Sequence, residues 1–495
     1  MSVSALKRRW GDQVSIDPAR FPMFDKLLFA VFILAVPVAM ASSTSVFRDG
    51  DVSWHVAAGR WILEHGRVPN VDPFSFSKGG EPWVAFEWLA EIIYGAAFNL
   101  AGHAGLAAVV ALALMGLYGI VFVRLRPRVG PIGILCAFAA MNVVLYPFIL
   151  ARPHVIAWPL LAAWTAILLN RRERGDPPPL ALALLMFVWA NVHGSFFIGF
   201  IIAGALALDA LIAAGWSRQV LTKWLVFGVA AAAAALLNAN GLAGLLHPLM
   251  ISGMKTLPFI GEWQASSPRS TPLFYLVFLG VLGVLFWRRA SFTVGELLLL
   301  LVTLALAFWH IRHQAVFMIV ATLIVAPRLS GGARDAAAPV FGSHRERRAW
   351  VGAAVAAAMV ILAARSMIPL TPEESFSNPR GLIAHVPQRL RTQAVFNEYS
   401  LGGPLILAGI PTYIDGRADM YGDEFFQGYL DIVDGDLGKF DEAVRKYDIR
   451  WAILQKNARL AKALDARKDW ARFYSDDVGV IYIRRTGAGG SPPGH

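Results

Sequence analysis

Apolar runs recur along the chain at about 27–46, 104–123, 130–150, 154–170, 179–192, 195–214, 222–238, 272–287, 293–309, 314–327 and 350–368. A helix that crosses a bilayer needs about 20 residues at 1.5 Å rise each. These runs therefore predict eleven spanning helices. The run at 179–192 is short, with a break expected near Asn191–Gly194. A further run, 84–99, is ambiguous between span and interface. Beyond residue 368 the pattern changes. "PLILAGI" and "WAILQ" read as short strands, "KFDEAVRKYD" and "ARLAKALDARKDW" as amphipathic helices, and "VGVIYIRR" as a closing strand by alternation.

Charge parity resolves the ambiguous run. If 84–99 lies in the interface, one side of the membrane holds the N-terminus, 124–128, 171–174, 218–223, 288–289 and 328–348, with 20 Lys and Arg between them. The opposite loops before residue 365 hold eight, over a greater length. The positive-inside rule assigns the first set to the cytoplasm. Glu87 and Glu91 support this, since carboxylates at bilayer depth are costly. Both are read as interfacial surface on one helix face. The expected fold class is an all-α polytopic domain (residues 1–368) with interfacial helices in its first outer loop (47–103). An extracytoplasmic α/β domain (369–485) and a disordered tail (486–495) follow.

Composition agrees: 56% of the 495 residues are hydrophobic and 16% charged, against about half and a quarter in soluble domains. The net charge of +11 does not imply nucleic acid, because Lys and Arg sit in short clusters between apolar runs. The single cysteine, Cys136, excludes an intrachain disulfide. Ala39-Met-Ala41 resembles a signal-peptidase site, but cleavage there would strip the anchor just before Asp49, so the first run is read as uncleaved. Abundant Arg, Ala and Gly hint at a GC-rich bacterial genome, and the expected location is the bacterial inner membrane.

The polar residues of interest fall on the outer side: Asp49, Asp51, His55, Glu87, Glu91, Arg152, His154, Asn191, His193, Glu262, Arg269, His310, Arg312 and His313. Several flank helix ends in apolar surroundings, as in "ILARPHVIAW", "WANVHGSFF" and "FWHIRHQ". Ionisable residues at a membrane edge mark function or snorkel from helix ends. No phosphate-cradling Gly-rich loop, zinc spacing or G-x-S-x-G occurs, which leaves nucleotide use and hydrolase chemistry without support.

The first outer loop resembles the GT-C glycosyltransferases that use polyprenyl-phosphate or polyprenyl-pyrophosphate sugars, among them protein O-mannosyltransferases, aminoarabinose transferases and oligosaccharyltransferases. "RDGDVSWH" follows the first helix; a short helix ending in Gly, a Pro-rich stretch and "EWLAEIIYGAAF" come next. "RPH", "WANVHG" and "DGR" (Asp415–Arg417) further resemble a group of bacterial glycosyltransferase-like proteins. The resemblance implies an acid at the loop start as catalytic base or metal ligand. Asp51 fits best and Asp49 second. Either accepts an acceptor's proton, or the pair holds Mg²⁺ or Mn²⁺ through oxygen ligands. A structural role also stands open to Asp51, as cap of a helix beginning at Ser53.

Arg312 is the expected phosphate clamp, with His313 and Arg152 assisting. His193, Asn191, His154, His55 and Glu87 complete the expected substrate site. Asn191 and His193 have the alternative of satisfying a broken helix. "YIDGRADMY" is expected as strand and turn, with Asp415 and Arg417 able to face an acceptor glycan. The implied activity is sugar transfer, with inversion, from a polyprenyl-linked donor to a glycan, lipid or protein acceptor. A lipid-glycan flippase and an O-antigen polymerase or ligase are the alternatives. A flippase predicts inverted repeats and polar residues through the bilayer; neither is evident.

Overall fold

The computed structural model describes residues 30–330, 343–367 and 370–485. The basic N-terminal stretch and the tail from Thr486 lie outside them. All eleven apolar runs contain helix. A π-helical turn (Val31–Ala35) leads into α1 (Val36–Ala41), and α2 (Asp51–His65) and α3 (Trp88–Leu125) follow. Next come α4 (Pro131–Leu145), α5 (Pro153–Glu173), α6 (Ala183–Val192), α7 (Phe196–Ala213), α8 (Arg218–Leu236) and α9 (Gly241–Ser252). Helices α10 (Pro272–Arg288), α11 (Val294–Trp309), α12 (His313–Leu329) and α13 (His344–Ser366) complete the helical part.

Among the described residues, five helical segments are long and apolar enough to cross a membrane; six more are apolar but shorter. Large apolar side chains such as Leu276, Leu279, Phe286 and Trp287 stand exposed on α10, as a lipid-facing surface requires.

Helix α3 carries non-helical backbone at Ala101 and Gly102, where Gly102 takes φ 56°. This break falls between the two runs distinguished in the sequence, 84–99 and 104–123. The first half of α3 crosses α2 at Gly59, where an added Cβ would overlap the Glu91 carbonyl. Only a residue without a side chain permits that approach. It brings His55 of α2 beside Glu87 and Glu91.

The C-terminal part holds a four-stranded mixed sheet, ordered β1-β2-β4-β3. Its strands are β1 (Val395–Asn397), β2 (Trp451–Gln455), β3 (Trp470–Ser475) and β4 (Gly479–Arg484). β1 lies parallel to β2, and β4 is antiparallel to both β2 and β3. Helices α14 (Arg380–Ala384), α15 (Gly402–Leu407), α16 (Ala418–Val433), α17 (Leu437–Tyr447) and α18 (Arg459–Asp465) accompany it.

Three local expectations need correction. "PLILAGI" is largely helix α15, since a short buried apolar run has no periodicity to separate helix from strand. "ARLAKALDARKDW" is helical only to Asp465, and Trp470 already begins β3. "YIDGRADMY" forms a loop that enters α16 at Ala418.

The Pro-rich segment after α2 is fastened to the C-terminal part. Phe76 N–H donates to the Thr412 carbonyl at 3.1 Å, and the Ser77 hydroxyl to the Tyr413 carbonyl at 2.6 Å. Arg417 is wholly buried, bonding Asp72 and Asp415 at 2.7 Å each. It also lies over the Phe74 and Trp83 rings. Asp415 and Arg417 therefore brace the segment between α2 and α3 from within. Of the two residues expected to face an acceptor glycan, Asp415 is enclosed in this brace, while Arg417 both joins it and borders a cavity.

Candidate active site

A cavity of about 410 Å³ opens between the helical part and the C-terminal part. Asp49, Asp51, Glu87, Glu91, Arg152, Glu262 and Arg312 line it from one side, and Tyr399, Ser400, Gly416, Arg417 and Asp419 from the other.

Local structure fixes each group. Asp49 turns one carboxylate oxygen onto the backbone N–H of Asp51 at 2.9 Å, so Asp49 assists the helix start. Helix α2 begins at Asp51 itself, not at Ser53, and the Asp51 carboxylate reaches Arg152 at 3.0 Å. Arg152 precedes Pro153, the first residue of α5, and its carbonyl accepts the Tyr94 hydroxyl at 3.0 Å. Glu262 sits on a 3-10 turn whose carbonyl accepts the Arg312 N–H at 3.0 Å.

Three carboxylates meet one guanidinium. Arg152 bonds Asp49 at 2.8 Å, Asp51 at 3.0 Å and Glu262 at 3.0 Å. The other Glu262 oxygen takes Arg312 at 3.1 Å, and the Arg312 guanidinium lies 4.3 Å from the Trp263 ring centre. Burial would raise Glu262, but Arg152 and Arg312 outweigh it and hold the carboxyl at about 2. Asp51 goes the other way. Burial pushes it up to about 8, with Arg152 opposing and Asp49 and Glu262 adding their repulsion. An acid that must lose its proton to act as base then gives a rate that climbs with pH. Transfer is expected to rise about tenfold per pH unit below about pH 8 and to level off above it. A flat initial-rate profile from about pH 6 to 9 would refute a base of this kind.

Behind this cavity lies a second, of about 440 Å³. Its lining is mainly apolar, including Phe148, Trp158, Leu161, Phe197, Leu249 and Trp309, with His154, His193 and His313 among the polar groups. Glu87, Glu262, Trp263 and Arg312 border both cavities. Burial lifts Glu87 to about 8, against the pull of Arg152 and Arg312.

The structure gathers most of the sequence-predicted site residues, with different tasks. His154 is anchored to the Phe148 carbonyl at 2.8 Å. His193 accepts the Ser195 N–H at 3.0 Å and lies 3.5 Å from Glu87. His55, buried, stands 3.8 Å from Glu87 and 3.6 Å from Glu91. His55 and Asn191 line neither cavity. Asn191 accepts the Trp88 indole N–H at 2.7 Å and bonds the Phe187 carbonyl at 2.8 Å, the broken-helix alternative. Glu87 and Glu91 are not interfacial surface: they face the polar cavity, Glu91 only 1% exposed. Arg152 is engaged by three carboxylates, Arg312 by Glu262 alone.

The sequence reading placed Glu262 on the outer side without assigning it a task. It gave no task to Gly416 or Asp419, although both lie in the quoted "YIDGRADMY", and it did not single out Tyr399 or Ser400. An added Cβ at Gly416 would overlap an Asp51 carboxylate oxygen and the Trp54 indole nitrogen. A glycine between two charged residues in "DGR" was the one available signal.

Among the described residues no group of three or more His, Cys, Asp or Glu is arranged to hold a metal ion. Asp49 and Asp51 both direct oxygen atoms at Arg152, so as arranged they do not form a cradle for Mg²⁺ or Mn²⁺.

No family profile and no curated sequence matches the chain. Solved structures do. The apo oligosaccharyltransferase of Archaeoglobus fulgidus aligns with a TM-score of 0.54 at 13% identity, over 89% of this chain and 70% of that one. ArnT from Cupriavidus metallidurans, bound to undecaprenyl phosphate, aligns with a TM-score of 0.53 at 14% identity, over 93% of this chain and 99% of that one. The chain shares the fold of both. So does a second structure from Archaeoglobus fulgidus, the oligosaccharyltransferase AglB in complex with an inhibitory peptide and a dolichol-phosphate. It aligns at a TM-score of 0.52 and 12% identity, over 86% of this chain and 69% of that one. A fold shared with these structures agrees with the resemblance carried by "RDGDVSWH" and the loop that follows it.

Proposed function

We propose that this protein transfers a sugar from a polyprenyl-phosphate donor to an acceptor on the outer face of a bacterial inner membrane. The observation that carries the reading is the wall shared by the two cavities. An amphiphilic donor needs an apolar channel for its chain, a polar chamber for its sugar and a cation at the junction for its phosphate. Arg312 stands at such a junction, bordering both cavities. The structural neighbours bound to undecaprenyl phosphate and dolichol-phosphate support the same donor class.

In this reading Asp51 accepts the acceptor's hydroxyl proton as the oxygen attacks the anomeric carbon. The bond from that carbon to the phosphate oxygen breaks, and Arg312 stabilises the charge left on the phosphate. The protein's main contribution is to align the partners, since lipid phosphate is already a good leaving group. Eleven spans with a cytoplasmic N-terminus put this site outside. The α/β domain from residue 369 roofs the polar cavity and takes part in binding the acceptor.

Arg312 separates a clamp from an anchor. An anchor tolerates Lys, because both side chains snorkel; a bidentate phosphate ligand does not. Arg312→Lys is expected to lower kcat/KM by about 10- to 100-fold. Arg269→Lys, at an exposed loop position, should stay within about twofold, as surface changes usually do. Purified protein with a defined lipid-phosphate sugar makes the measurement. Wild-type kinetics in Arg312→Lys would remove the clamp. A deletion strain should accumulate the lipid-linked sugar, read by mass spectrometry.

A further inference from the structure

We infer that the Arg152 guanidinium takes the place of a divalent cation at this site, so that sugar transfer proceeds without added metal. The inference rests on the reading of Asp51 as base and deepens it.

Three carboxylates converging from two distant segments are the donor set of a hard cation. Asp49 precedes α2, Asp51 opens it, and Glu262 arrives from a turn more than a hundred residues on, at |i−j| = 110 from Arg152. At their meeting point stands Arg152, with contacts of 2.8, 3.0 and 3.0 Å. Mg²⁺ would need oxygens drawn in to about 2.1 Å in a near-octahedral shell. A planar guanidinium takes carboxylates at hydrogen-bond length without that contraction.

Nor is Arg152 a loose side chain that yields its place easily. Its backbone N–H donates to the Leu150 carbonyl at 2.8 Å, and its own carbonyl holds the Tyr94 hydroxyl at 3.0 Å. Pro153 fixes the helix start beside it, and the side chain is 12% exposed. Burial works against its charge, but Glu262, Asp49 and Asp51 outweigh burial and keep it ionised. A cation entering this site would have to expel a charged, buried group paired with three carboxylates.

The charge count agrees. Two guanidiniums, Arg152 and Arg312, face three carboxylates, Asp49, Asp51 and Glu262. The cluster therefore already holds its carboxylates against cationic partners without a metal ion.

The test uses the full-length protein in detergent, with Mn²⁺ alone as probe and its free signal followed by electron paramagnetic resonance. Wild type is expected to take up no Mn²⁺ through Asp49, and its transfer rate should change less than about twofold in EDTA. Arg152→Ala empties the centre. The folded variant should bind about one Mn²⁺, losing it when Asp49→Asn is added, and its transfer in EDTA should fall about 100-fold. Wild-type uptake abolished by Asp49→Asn overturns the inference. So does a folded Arg152→Ala variant that binds none. If that variant does not fold, wild type decides: Asp49-dependent uptake or EDTA-sensitive transfer overturns the inference, and the absence of both upholds it. Failure to use any polyprenyl-phosphate sugar would count against the proposed function instead, and would leave the Mn²⁺ result standing.

Discussion

Asp51→Asn should reduce transfer by about 100-fold or more, the usual share of a general base, while membrane levels stay near those of wild type. The substitution keeps the shape of the side chain and removes its charge. It spares the start of α2, because Asp49 supplies the carboxylate that accepts the Asp51 N–H. Arg152 also keeps two of its three partners, Asp49 and Glu262. The climb of rate with pH should vanish along with the bulk of the activity. Initial rates with a defined lipid-phosphate sugar make the measurement. Residual activity above about a tenth of wild type, roughly 1.4 kcal/mol of barrier, would move the base elsewhere. Asp49→Asn should cost no more than Asp51→Asn.

The second large effect concerns stability. Arg417→Met should destabilise the C-terminal part by about 3–5 kcal/mol, the range for breaking a buried ion pair from one side. Arg417, Asp72 and Asp415 have fully buried side chains. Removing the guanidinium leaves two carboxylates without their counter-charge in an apolar setting, next to the Phe74 and Trp83 rings. Asp415 would keep the backbone N–H of position 417 at 3.1 Å and its hydroxyl donors, such as Tyr421 at 2.7 Å, none of them charged. Lys is not expected to rescue, since Arg417 uses three nitrogens on two carboxylates. Thermal unfolding in detergent, with limited proteolysis of the segment beyond residue 370, reads the effect. An unchanged midpoint and cleavage pattern would dismiss the brace.

The sequence was most informative where a single element carries its own signal. The apolar runs identified the helices, and alternation in "VGVIYIRR" identified β4. Asp49, Asp51, Arg152, His193 and Arg312 stood out because charge at a helix end within apolar surroundings is costly and so conspicuous. It was silent where meaning depends on a distant partner. Nothing local in "GEWQ" shows that Glu262 bridges two guanidiniums. Nothing in "DGR" shows that Arg417 faces inward to Asp72. "PLILAGI" was misread because a buried short run is apolar on every side, whichever element it forms. The strand at Trp470 was missed because the charged residues before it continued an amphipathic helical pattern.

The tight seam at Gly416 has a consequence for biosynthesis. Asp51 is made well before the loop pressed against it, and the Arg417 brace comes 345 positions after Asp72. Arg152, Glu262 and Arg312 arrive in between. Until the last segment docks, the base lacks its roof and the polar chamber stands open to water. On the proposed reading, a chain that stops before this loop is inert, and synthesis of the loop is itself the licensing step.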